Sequence, residues 1–97
     1  MNEEWKNYPR LLSVSALPEH HLLCRFDNGD IRHYDFRRHL DLDMFQLIRD
    51  PAYFRAVQVD PHGLGAVWND AMDIAASELW LNGLPIEETS DQLAAVR

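Results

Sequence analysis

The 97-residue sequence predicts an α+β fold, a small antiparallel sheet in the order β-β-β-α-β-β-β-α with two or three short helices packed on it. Three observations carry this expectation. Leu22–Phe36 reads LLCRFDNGDIRHYDF, two runs rich in apolar and aromatic residues around Asp27-Asn28-Gly29-Asp30, and Asn and Gly tolerate the positive φ that hairpin turns demand. Period-two alternation appears in short stretches, the mark of half-buried strands. The helical segments are short, and two carry boundary residues: Asp50-Pro51 at a start and Gly83 at a stop.

Met1–Arg10 is a lead-in anchored by Trp5 and Tyr8 and interrupted by Pro9. Leu11–Leu17 (LLSVSAL) alternates apolar and small polar residues and predicts the first strand. Pro18-Glu19-His20 turns the chain into a second strand, His21–Phe26, and a third runs over Asp30–Phe36. Two hairpin registers are open between them. A two-residue Asn28-Gly29 turn sets Arg25 opposite Arg32, which like-charge repulsion disfavours. A three-residue turn with Gly29 left-handed sets Phe26 opposite Asp30 and Leu22 opposite Tyr34. The second gathers Leu22, Cys24, Phe26, Tyr34 and Phe36 on one face and is preferred.

Farther on, Asp41 or Asp43 is placed to cap a short helix that buries Met44, Leu47 and Ile48. Asp50-Pro51 opens another through Arg55. Val57-Gln58-Val59 predicts strand four, Asp60-Pro61-His62-Gly63 a turn, Gly65–Trp68 strand five and Met72–Ile74 strand six after an Asn69-Asp70-Ala71 turn. Ser77–Asn82 predicts the last helix, with Gly83 as its C-cap. The expected organisation is a lead-in over 1–10, one α+β domain over 11–84, and a mobile acidic tail over 85–97.

The length suits one core, which for a chain this size buries about two-thirds of the unfolded surface. No apolar run approaches the ~18 residues of a membrane span, the N-terminus is polar rather than a signal peptide, and Cys24 is the sole cysteine, so the expected place is the cytoplasm. Charge is uneven. Residues 1–55 hold eight basic and nine acidic side chains, whereas residues 56–97 hold one basic (Arg97) and seven acidic. The second half should be repelled by nucleic acid and suits a basic protein partner, unless it is simply a solvated face.

Candidate chemistry is thin. His20 and His21 are adjacent and point to opposite faces of a strand. Cys24 and His33 become cross-strand partners only in the two-residue register, and two ligands do not close a structural metal site. Asp27 with Asp30, Asp41 with Asp43, and Asp70 with Asp73 have simpler roles as caps and turn formers. Gly63-Leu64-Gly65 is too short for a dinucleotide fingerprint. Arg32, Arg37, Arg38 and His39 form the one basic knot, set to grip an anionic partner or to pair with Asp35, Asp41 and Asp43. No catalytic residue, cofactor or metal is expected.

Several spaced features resemble a bacterial family known as domain-of-unknown-function family 2442. They are V-S-A-L-P at Val14–Pro18, F-D-N-G-D at Phe26–Asp30 followed by Arg32 and Tyr34-Asp35-Phe36, R-D-P-A-Y-F at Arg49–Phe54, V-D-P-H-G at Val59–Gly63, Val67-Trp68, and D-I with E-L across Asp73–Leu79. The resemblance spans roughly residues 11–82 and implies a small α+β fold. Some relatives carry a helix-turn-helix domain, and some are encoded beside toxin-like proteins as suspected antitoxins. It implies no catalytic residues. This chain has Ala71 where relatives often have a turn glycine, and it stops at Arg97, too early for a helix-turn-helix domain.

The expected function is a non-catalytic protein-interaction module, antitoxin-like as the resemblance implies, binding a protein partner or itself. Asp70, Asp73, Arg37 and Arg38 are the candidate contact residues. No direct nucleic-acid or membrane binding is expected. The alternatives are a ligand-sensing domain acting with a separate DNA-binding protein, and a small enzyme.

Overall fold

The Asn28-Gly29 hairpin closes in the bulged register, and the rest of the first sheet follows from it. In the computed structural model, which describes residues 8–86, β1 (Leu11–Leu17), β2 (His21–Phe26) and β3 (Ile31–Asp35) form an antiparallel meander. Leu22 lies opposite Tyr34, Leu23 opposite His33 and Cys24 opposite Arg32. Gly29 takes φ +93° and donates its N–H to the Phe26 carbonyl (3.0 Å), while Phe26 N–H reaches the Asp30 carbonyl (2.9 Å). The register puts Leu22, Cys24, Phe26, Tyr34 and Phe36 into the core together.

The Pro18–His20 link between β1 and β2 is a 3-10 turn in which Glu19 (φ 62°) and His20 (φ 60°) are both left-handed. His20 is held there by its side chain. Nε2 donates to the Ile48 carbonyl (2.7 Å), and the ring packs on Phe54 at 4.7 Å between centroids.

After β3 come two 3-10 segments, Phe36–His39 and Asp43–Arg49. The second corrects the expected face. Phe45 and Ile48 are buried, whereas Met44 (52 % exposed) and Leu47 (57 %) point outward. A 3-10 helix repeats every three residues, so positions 45 and 48 align, where an α-helical spacing had paired 44 with 47 and 48. Neither Asp41 nor Asp43 caps it, since Leu42 occupies the cap position. The next helix starts as expected: in α1 (Pro51–Phe54) the Asp50 carboxylate accepts the Ala52 N–H at 2.9 Å.

A second antiparallel sheet follows, β4 (Gln58–Val59), β5 (Gly65–Asn69) and β6 (Met72–Ala75), so the strands divide between two sheets. β4 runs alongside β1, and the Leu11 N–H donates to the Gly63 carbonyl (2.8 Å). α2 (Ala76–Asn82) then packs on β3 and β6. Gly83 ends it but is not left-handed, with φ −80° and ψ 151°. Its role is steric: a Cβ there would collide with the Leu79 carbonyl oxygen and the Arg32 side chain.

The chain re-enters the first sheet as β7 (Leu84–Ile86), pairing Leu84 with His33 and Ile86 with Ile31. Ordered sheet therefore extends two residues beyond the boundary expected at 84. Pro85 reads as a breaker in sequence, yet an edge strand accommodates a residue without an N–H. The remainder of the expected tail, and Trp5, lie outside the described residues.

The core sits between the sheets and the short helices. Phe36 is its aromatic centre, touching Phe45 (5.0 Å), Trp68 (5.2 Å) and Phe54 (5.8 Å), while Leu22, Ile48 and Leu79 are fully buried around the rings. No helix among the described residues is long and apolar enough to cross a membrane.

Candidate functional site

Alternation along β6 sets the outer face of the second sheet. In β6, Met72 and Ile74 turn into the core while Asp73 and Ala75 are exposed. Gln58, Val67 and Asp73 lie side by side across the three strands, and Gly65 is opposite Ala75 in the next row. Asp60 closes one end. Its carboxylate accepts the His62 N–H (2.8 Å) and Leu64 N–H (3.3 Å), and its own N–H donates to the Gly65 carbonyl (2.9 Å). At the other end Asn69 makes the tip, accepting the Ala71 N–H at 2.7 Å, and the register shifts between Val67 and Asn69. The glycine-free tip is thus turned by an Asn side chain and an irregular ladder.

Asp70 and Asp73 share a shallow cleft of about 350 Å³ with Gln58, Asp60, Val67 and Asn69. Both carboxylates are exposed, and neither has a hydrogen-bond or ion-pair partner among the described residues. No Lys or Arg occurs between positions 56 and 86, and none lines the cleft among the described residues. The sequence marked Asp70 and Asp73; their convergence with Asp60 comes from the pairing of β4 with β5.

Arg37 and Arg38 stand elsewhere, on the 3-10 turn after β3, and the fold does not bring them to this cleft. Arg37 is occupied. Its Nε and Nη2 donate to the two Asp35 carboxylate oxygens at 3.0 and 2.9 Å, and these bonds hold the Asp35 carboxyl well below the usual carboxylate range. The Arg38 guanidinium lies 5.4 Å from the Tyr34 ring centre, a cation–π contact. Arg32 leaves the basic knot altogether: Nη1 donates to the Trp80 carbonyl (3.0 Å), and the guanidinium stacks 3.8 Å from the Trp80 ring centre.

Two polar clusters had no sequence signal. Buried Tyr34 donates its hydroxyl to Glu78 Oε2 (2.7 Å) and accepts from His39 Nε2 (2.7 Å), and Asn82 Nδ2 donates to Glu78 Oε1 (2.8 Å). Burial and then the Glu78 hydrogen bond push the phenol pKa up, so it stays a donor and ties β3 to α2. On the other face of the first sheet the His21 and His33 rings meet edge to face at 4.8 Å, with His21 Nε2 3.2 Å from Asp35 Oδ1. Burial, then His21, lowers the His33 pKa. No three His, Cys, Asp or Glu side chains among the described residues are grouped to hold a metal ion. Cys24 is buried in the core opposite Arg32, and burial raises its thiol to about 12, so the two-residue register that would pair it with His33 is not formed.

Elsewhere, a mainly apolar cleft of about 340 Å³ opens between the Pro18–His20 turn and α1, with Glu19, His20 and Arg55 at its rim. Leu42, Met44 and Leu47 form an exposed apolar strip. No protein-family model, curated protein or solved structure matches the chain. Its own surface carries the functional reading.

Proposed function

We propose that this protein is a non-catalytic protein-interaction module that binds a basic protein partner through the outer face of β4–β5–β6. The observation that supports it is the cleft holding Asp60, Asp70 and Asp73, where Asp70 and Asp73 are exposed, unpaired among the described residues, and accompanied by no basic residue in the cleft lining. A single exposed ion pair contributes little, about 0–1 kcal/mol. Several carboxylates of one sign on one face instead speed encounter with a basic surface and select against acidic ones. An antitoxin-like role, as the resemblance to domain-of-unknown-function family 2442 implies, is the concrete form of this reading, with a small basic protein as the partner and the cytoplasm as the place the composition suggests.

The test is charge reversal. Asp70→Lys with Asp73→Lys is expected to weaken binding of the co-purifying partner at least about tenfold, a loss of about 1.4 kcal/mol. The thermal melt should stay near wild type, because neither carboxylate supports the fold. Raising salt should weaken the wild-type complex more than the variant complex. Unchanged affinity in the double variant rules out this surface.

A further inference from the structure

Resting on the interaction reading above, we propose that β6 docks a basic, extended segment of the partner as an additional strand along its open edge. The phase of the ladder identifies the free groups. Ala76 N–H donates to the Leu64 carbonyl (2.8 Å), and the Gly65 carbonyl is turned to β4, where it accepts from Asp60. Ala66 lies opposite Ile74 and Gly65 opposite Ala75. Antiparallel bonding alternates along a pair, so Ile74 bonds to β5 and Ala76 to Leu64 just before it, while the N–H and C=O of Asp73 and the N–H of Ala75 face away from the sheet; the Ala75 carbonyl belongs to the first turn of α2, whose N-cap Ala75 is.

Among the described residues β6 terminates its sheet, and although it is short and carries the charge of Asp73, it holds neither Lys nor Pro. Edge strands are commonly protected by Lys, Pro or a covering element. β6 reads Met72-Asp73-Ile74-Ala75, whereas β4 is flanked by β1 and β7 contains Pro85.

Charge decides the occupant. A residue paired with Asp73 on the outer face would have its Cβ about 5 Å away, where Lys or Arg is favoured and a carboxylate is repelled. Two copies of this chain pairing β6 with β6 would gather Asp70 and Asp73 of both on one face, in a protein of net charge −7. The edge therefore suits a basic segment rather than a second copy. Residues next to the basic one would turn to the side of buried Met72 and Ile74, so the preferred pattern is apolar–basic–apolar.

The experiment uses the full chain and a capped heptapeptide alternating valine with lysine, beside a counterpart with glutamate for lysine. Amide exchange by NMR should show the Asp73 and Ala75 N–H groups slowed about tenfold or more by the lysine peptide and unaffected by the glutamate peptide. Asp73→Lys should invert the peptide preference. Ala75→Pro isolates the edge: Ala75 sits at φ −67° and ψ 144°, which Pro adopts, so the substitution removes the outward donor and leaves the acidic face intact. It should abolish lysine-peptide binding. If Ala75→Pro binds like wild type while Asp73→Lys does not, edge docking is overturned and the acidic-surface reading stands. Absence of protection at Asp73 and Ala75 in the wild-type chain under saturating peptide overturns edge docking without relying on any variant. A partner indifferent to the Asp70→Lys and Asp73→Lys pair removes the broader reading as well.

Discussion

Single residues in this protein act mainly through burial. Phe26, 2 % exposed, packs edge to face on Trp80 at 5.4 Å and closes the core beneath the hairpin. Phe26→Ala should destabilise by about 3–5 kcal/mol in a denaturant titration, the range for deleting a buried aromatic ring; a curve near wild type would mean the ring is not a core element. His33 makes a pH prediction with a definite sign. Its folded pKa lies below the ordinary value of 6.5, through burial and the neighbouring His21, with Asp35 partly opposing. Below about 6.5 the unfolded chain takes up a proton that the folded chain resists, so stability is complete above that pH and is lost as pH falls toward the lower folded value. The Asp35 carboxyl, itself held low, adds its loss only under more acidic conditions, below its unperturbed 3.8. The melting midpoint should therefore fall between pH 6.5 and 4. His33→Gln should flatten that slope, and an unaltered slope would assign it to other groups.

At the scale of elements, short segments hold because neighbours supply what local sequence lacks. α2 has no side-chain cap, with Ala75 at its N-cap position, and Gly83 closes it in an ordinary extended conformation. What fixes the α2–β3 contact is the close approach at Gly83, with Arg32 stacked on Trp80 and Tyr34 bonded to Glu78. Gly83→Ala is backbone-compatible, so its cost comes from the collision of the new Cβ with the Leu79 carbonyl and Arg32. The expected loss is about 1–3 kcal/mol, read by chemical denaturation with Trp80 fluorescence. A neutral or stabilising result would show that the helix end can shift. The Asp43–Arg49 segment shows the converse of local legibility. Its residues are helix-compatible, but the 3-10 repeat buries Phe45 with Ile48 and leaves Met44 and Leu47 outside.

Across the whole molecule, strands were legible where alternation and turn chemistry coincide. β1 and β2 match their expected bounds, and the Gly29 bulge sets the β2–β3 register, because a one-residue slip would part Tyr34 and Phe36 from the face of Leu22, Cys24 and Phe26. Asp50 as a cap and Asp60 as a turn former were legible for the same reason: short carboxylates satisfy nearby backbone N–H groups. The candidate surface was half legible. Asp70 and Asp73 stood out by charge, yet their union with Asp60 required β4 to pair with β5, and the separation of Arg37 and Arg38 required the placement of the turn after β3. Tyr34 and Glu78 are 44 residues apart, beyond any local pattern. The sequence by itself thus determined the α+β class and the acidic bias of the second half, and it favoured the bulged hairpin register that the structure adopts. Tertiary structure alone decided the division into two sheets, the return of Leu84–Ile86 to β3 and the place of β6 at an edge of its sheet among the described residues. The physical reason is that periodicity and turn residues act within a few positions, whereas sheet partners and buried polar bonds are chosen by which distant surfaces meet in the core.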